Sequence, residues 1–219
     1  LSSSLPLAID SKDSSAIEAA LREVDGKALI NSVTGERLSL RTILPLARKY
    51  GAAVVGLCMD DRGIPEKAEE KLRIALKILK EARRIGLKDQ DVIIDPVVIP
   101  VSTSPAGAME TIRVIRLIKK ELGLNTLAGV SNVSHGLPSR AFLNSVYLVM
   151  ALKAGLDATF VNTLDEQGMG SFYASRVLIG KDPGAKEYIR RFGKKAGKSV
   201  EKALKMEGWE KGLNQAVIE

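Results

Sequence analysis

Short apolar runs alternate along this chain with longer stretches whose apolar positions recur every three or four residues. Six runs read as strands: Leu5-Pro6-Leu7-Ala8-Ile9, Lys27-Ala28-Leu29-Ile30, residues 52–57, Val92-Ile93-Ile94, residues 126–130 and residues 158–161. The stretches between and after them predict helices over about 15–23, 39–50, 66–85, 108–122, 139–154 and 166–179. Asp13 or Ser14 is placed to cap the first helix, and Gly51 and Gly86 stop the second and third. The third is the clearest amphipathic segment. It has Pro65 at its first turn, Leu72, Ala75, Leu79 and Ala82 along one stripe, and Lys and Glu pairs on the other side. The fifth is apolar on several sides, which predicts that it lies between the sheet and a neighbouring surface.

Six strand-then-helix units in strict alternation predict an α/β fold with a parallel sheet and right-handed crossovers. Units of roughly twenty to forty residues suit a TIM (β/α)8-type barrel better than an open sheet, and the count is two units short of eight. The expected division is a partial barrel over 1–180 and a basic, partly helical tail over 181–219, with a helix over about 198–206 and Trp209 near the end.

Composition narrows the function. The net charge of +7 is concentrated in the third helix, where acids are interspersed, and in the region after residue 180. Aromatic residues are only 4% and do not interleave with the basic ones, so no platform for stacking bases is visible and nucleic acid is not expected. No apolar run is long enough to span a bilayer and the N-terminus carries no secretory pattern, so no membrane partner is expected and the chain reads as cytoplasmic. The single cysteine, Cys58, rules out an internal disulfide and reads as a small hydrophobe at a strand end.

Candidate chemistry gathers where strands stop. Four strands end at a polar group: Asp10, Asn31, Asp95 and Asn132. In a β/α barrel such residues share the C-terminal face, where active sites are built. A carboxylate there accepts two adjacent N–H donors of a flat amino-heterocycle, or serves as an acid or base, or binds a divalent metal. No cluster of acids or histidines completes a metal shell, and His135 is the only histidine, at the rim of the same face. Asn132, within Gly129-Val130-Ser131-Asn132-Val133-Ser134-His135-Gly136, is either the main polar group of a ligand pocket or a cap and turn former for the next helix.

These residues carry a resemblance. Ala8-Ile9-Asp10-Ser11, Ile30-Asn31-Ser32, Ile94-Asp95-Pro96 with Ile99-Pro100, and Gly129 to Ser134, in that order, are similar to the pterin-binding barrel of the methyltetrahydrofolate:corrinoid protein methyltransferases. The folate domain of cobalamin-dependent methionine synthase and, more distantly, dihydropteroate synthase share that superfamily. The likeness runs from about residue 5 to 192. It implies that Asp10, Asn31 and Asp95 hold a pterin ring with Ser131 and Arg140 beside it, and that Asn132 hydrogen-bonds the nitrogen carrying the methyl group. The implied substrates are methyltetrahydrofolate and tetrahydrofolate, and the implied partners are a corrinoid protein carrying cobalamin and a second copy in a homodimer. Dihydropteroate synthase is a competing reading, and it predicts a basic phosphate-binding pair at the last strand end, where Val161-Asn162-Thr163-Leu164-Asp165 has no Arg or His. A non-catalytic pterin-binding subunit is another. Members of the family open with two further strand-helix units that nothing before Leu5 supplies. They also differ after Pro100, where this chain reads Val101-Ser102-Thr103-Ser104, and at His135, where a Gln is usual.

Overall fold

The computed structural model describes residues 5–193. Six strands, β1 (Ala8–Asp10), β2 (Leu29–Thr34), β3 (Ala53–Leu57), β4 (Val92–Asp95), β5 (Asn125–Ala128) and β6 (Ala158–Thr159), form one sheet in sequential order. Every neighbouring pair is parallel. The crossovers carry α1 (Ser14–Glu23), α2 (Arg37–Tyr50), α3 (Ala68–Arg84), α4 (Gly107–Leu117) and α5 (Arg140–Ala154), and α6 (Glu166–Leu178) follows β6. Sequential strand order with a helix after each strand is the winding of a β/α barrel. The expected architecture is therefore present as a six-strand arc, a partial TIM barrel.

Alternation along each strand divides the side chains between two faces. Ile30, Val54, Val92 and Ile94 point to the helices and form one buried cluster with Ile17, Ile43, Leu44, Ile74, Ile78 and Leu79. Residues one position away, among them Asp10, Asn31, Val55, Ile93 and Asp95, therefore point to the opposite, concave face. Register carries this from strand to strand: Asp10 pairs with Asn31, Asn31 with Val55, Val55 with Ile93 and Leu57 with Asp95. A register shift between Asn31 and Val33 follows the first polar residue of β2.

Local chemistry sets the helix boundaries. Asp13 caps α1, its carboxylate accepting the Ser15 N–H at 2.8 Å. Gly51 ends α2 at φ 65°, and its N–H donates to the Ala47 carbonyl. The chain leaves α4 through one π-turn, Ile118–Leu122, before β5. Three expectations need correction. Asn31 does not end its strand, because pairing with β3 carries β2 on to Thr34. Helix α3 begins at Ala68, so Pro65 lies in the preceding loop. Lys71 does not join the solvated side of α3 but is fully buried.

The chain divides into two compact units, Leu1–Ser171 and Phe172–Glu219. Within the second, Asp182 accepts the N–H groups of Glu187 and Tyr188 at 3.2 and 3.0 Å, which holds the start of α7 (Lys186–Phe192). The rings of Tyr173, Phe192 and Tyr188 pack in sequence beside it. The expected helix over 198–206 and Trp209 lie outside the described residues.

Gly56 shows how closely α3 approaches the sheet. A Cβ there would lie 3.0 Å from Ile78 Cγ2 and 3.2 Å from Ile94 Cδ1. Gly56→Val therefore overpacks the layer between α3 and β4. The expected loss is about 1–3 kcal/mol, read as a lower midpoint in urea denaturation.

Candidate active site at the concave strand ends

Asp10, Asn31 and Asp95 share the concave face, and the first two are direct neighbours across β1 and β2. Asp95 on β4 lies two strands across from Asn31 and three from Asp10, and two residues further along, since Asn31 is level with Ile93. The residues of the same parity beside them are apolar: Leu29, Ala53 and Ile93 are half-buried and Val55 is fully buried. The concave side of the strands is therefore apolar, with carboxylates and an amide at its edge. Asp10 is exposed and Asn31 is half-buried. Among the described residues, neither side chain has a hydrogen-bond partner in the protein.

Asp95 differs from both. It is only 9% exposed, and its Oδ1 accepts the Val97 N–H at 2.7 Å. Burial pushes its carboxyl up to about 6 from an ordinary 3.8, against the Val97 hydrogen bond and the nearby charge of Lys71, which both favour the anion. Val97 sits at φ 55°. A β-branched residue in the left-handed region is strained by about 1–3 kcal/mol and persists only where its surroundings determine it. Here both ends of the residue are gripped, since Lys71 Nζ donates to the Val97 carbonyl at 2.7 Å.

The turn after β5 is a short 3₁₀ segment, Val130–Ser134. Asn132 is exposed within it, and the turn bends its side chain back over the strand end, where Nδ2 would lie 3.3 Å from a Cβ built on Gly129. Asn132 does not cap the next helix, since α5 starts at Arg140 with Ser139 at its cap position, but it does shape the turn, its N–H donating to the Gly129 carbonyl at 3.2 Å and its carbonyl accepting from the His135 N–H at 3.1 Å. Arg140 braces the turn, its Nε donating to Ser134 Oγ at 3.0 Å and its Nη2 to the Ser131 carbonyl at 2.8 Å. Ser134 Oγ in turn donates to Asn144 Oδ1 at 2.7 Å. Two bonds tie this turn to the loop after β4: Val101 N–H donates to the Val133 carbonyl at 3.0 Å, and Ser102 Oγ to the His135 carbonyl at 2.7 Å. The segments bearing Asp95 and Asn132 are thus stitched together. His135 is exposed at the rim.

Two cavities among the described residues on this side are not built from those four residues. One of about 340 Å³ lies between the β5 turn and the start of α6, lined by Ser131, Asn144, Phe160, Asn162 and Asp165 among others. Another, of about 230 Å³, lies over the ends of β2 and β3, lined by Lys12, Ser32, Thr34, Glu36 and Met59 among others. No group of three or more His, Cys, Asp or Glu residues suited to a metal ion occurs among the described residues, and no described helix is long and apolar enough to cross a membrane.

Sequence reasoning missed Lys71, Val97, Ser102 and Ser134. A signal existed for the first: Ala68, Lys71, Ala75, Ile78 and Ala82 fall on one helical stripe, so Lys71 is aligned with the core. Cys58 packs as expected. It is fully buried, and burial pushes its thiol far up.

Asp95 also makes stability depend on pH. A carboxyl whose folded value is raised contributes stability below its unfolded value and loses it as pH rises through the folded one. Relative to Asp95→Asn, the parent should lose about 2–3 kcal/mol of unfolding free energy as pH rises from about 4 to about 7. Urea titrations of both proteins across that range read the difference.

A family model described as pterin binding enzyme matches residues 1–162. The chain is 29% identical over 192 residues to the methylcorrinoid:tetrahydrofolate methyltransferase of Eubacterium limosum, covering 85% of this chain and 70% of that protein. It is 33% identical over 174 residues to the methionine synthase of Mycobacterium tuberculosis (strain ATCC 25618 / H37Rv) and 33% over 173 residues to that of Mycobacterium leprae (strain TN). Those two matches take in 74% and 73% of this chain but only 15% and 14% of the synthases.

Proposed function

The chain belongs to the pterin-binding enzyme family, and from that premise we propose that it is a methyltransferase moving a methyl group between methyltetrahydrofolate and the cobalt of a corrinoid protein. The observation that supports this most is the shared concave side of three strands. Asp10, Asn31 and Asp95 edge that apolar side, and the Asn132 turn is hydrogen-bonded to the loop that follows Asp95.

In this reading the pterin lies against the half-buried Leu29, Ala53 and Ile93. Asp95 accepts a ring N–H and the adjacent amino group together, which one carboxylate does well because both its oxygens face the same way. Asp10 and Asn31 hold the side of the ring near β1 and β2. Methyl transfer to cobalt breaks a carbon–nitrogen bond of a tertiary amine, a poor leaving group. The methyl carbon bonds to the reduced cobalt of the partner, while the nitrogen keeps the bonding electron pair and takes a proton. Asn132 acts where that charge develops. Its amide, turned over Gly129, donates to or accepts from the nitrogen as the proton arrives, an interaction that strengthens in the transition state rather than in the bound ground state. Arg140 works through its bonds to Ser131 and Ser134, which hold the turn while Asn132 changes partners. The homodimer expected from the resemblance belongs to the same proposal. It is supported by the uncovered apolar stripe Phe142, Val146 and Met150 on α5, and sedimentation in solution reads it as twice the chain mass.

Two measurements test the reading. With methyltetrahydrofolate and a reduced corrinoid protein, Asn132→Ala should lower turnover by roughly a hundred- to a thousand-fold while tetrahydrofolate still binds. Equal turnover by variant and parent removes Asn132 from the chemistry, and binding without any transfer by the parent supports a pterin-binding subunit instead. Calorimetric titration with tetrahydrofolate reads Asp95. Because the ligand needs the ionised carboxylate, affinity should fall roughly ten-fold per unit below about pH 6 and level off between about pH 6 and pH 8. Asp95→Asn should bind more weakly and lose that slope.

A further inference from the structure

The buried stripe of α3 contains one charge. Ala68, Lys71, Ala75, Ile78 and Ala82 face the sheet, and the Lys71 ammonium is enclosed at 0% exposure where a leucine or methionine would complete an apolar surface. The groups facing it come from three elements: the Cys58 thiol beyond the end of β3, the Asp95 carboxylate at the end of β4, and Glu110 on α4. Glu110 is engaged elsewhere, accepting the Ala68 N–H at 2.7 Å and pairing with Arg113 at 3.7 Å. The Cys58 thiol is held neutral by its burial. That leaves Asp95 as the charge Lys71 answers. The two do not form a direct ion pair. Each grips Val97 instead, Asp95 at its N–H and Lys71 at its carbonyl, both at 2.7 Å.

We infer that Lys71 is a positioning residue, the buried counter-ion of Asp95 and the clamp on Val97, which together keep the end of β4 shaped and charged to receive a ligand from the concave face. The part that concerns a ligand rests on the folate reading above; the part that concerns Asp95 does not. The window of action is narrow. Burial draws Lys71 down to about 8 from 10.5 and Asp95 up to about 6, so both are charged only between those values. Below about 6 the carboxylate is lost. Above about 8 the ammonium is lost, and the anion remains buried without its counter-charge. Tetrahydrofolate affinity is thus expected to follow a bell against pH, with Asp95 setting the acid limb and Lys71 the alkaline one.

The test uses the whole chain, labelled for carboxyl carbon NMR, with the Asp95 signal identified by its loss in Asp95→Asn. In Lys71→Met without ligand, the Asp95 midpoint should rise by about 1 to 3 pH units, and in Lys71→Arg it should stay near the parent's. An unchanged midpoint in a folded Lys71→Met overturns the inference. If Lys71→Met does not fold, the double variant with Asp95→Asn decides. Recovery of a cooperative unfolding transition shows that the lost charge mattered through Asp95, and failure to recover shows that it did not. Calorimetry with tetrahydrofolate is the second readout. Lys71→Met should lose the alkaline limb, and a bell of unaltered shape contradicts the positioning role. A parent that binds no tetrahydrofolate at any pH, while its Asp95 midpoint still responds to Lys71, retires the folate reading and leaves the pairing standing.

Discussion

A strand in a singly wound β/α arc has two places to put a side chain, against the helices or on the concave side, and it must alternate between them. Everything chemical in this protein follows from that period of two. Ile30 and Ile94 go outward into the helix-packed core, so Asn31 and Asp95 face inward, and register with β1 brings Asp10 beside Asn31. Residues far apart in the chain meet on one surface without any direct bond between them. A one-residue slip of any strand would turn its polar end into the core and its isoleucine onto the concave side.

The inward carboxylates do not share one environment. Asp10 is open to water, whereas Asp95 is enclosed, strained loop geometry follows it, and an ammonium lies behind it. A site that must hold a polar ring tightly gains from such an arrangement, because a desolvated carboxylate has no water to surrender when two ring donors arrive. Stability is what this arrangement sacrifices. The apolar alternative at position 71 would be easier to bury, and the neutral alternative at position 95 would remove the acid-to-neutral loss of folding free energy. Such local conflicts between folding and chemistry are expected where a site is built.

The order of elements was legible in the sequence because each helix has a stripe and each strand a run, and both are local signals. The placing of Asp10 and Asp95 at strand ends was legible for the same reason, since each ends an apolar run. What escaped depends on contacts across the fold. Strand β2 continues to Thr34 through Asn31 and Ser32, polar residues that look like a strand's end until pairing with β3 extends it. The last strand is only Ala158–Thr159, and the run beyond β5 turns into a 3₁₀ segment at Val130. Lys71 looked solvated because lysines usually are, and only the Val97 carbonyl above it explains its place. The stitches from Val101 and Ser102 to the Asn132 turn join loops more than thirty residues apart, which no periodicity reveals.

The central claim is geometric: a pterin lies on the concave side of the strands against Leu29, Ala53 and Ile93, edged by Asp10, Asn31 and Asp95. It is tested most directly by a crystal structure of this chain grown with tetrahydrofolate. The account predicts ring nitrogens within hydrogen-bond distance of the Asp95 carboxylate and the methyl-bearing nitrogen next to Asn132. A ring found instead in the 340 Å³ cavity beside Asn144 and Asp165, with Asp10, Asn31 and Asp95 touching no ligand, would contradict it.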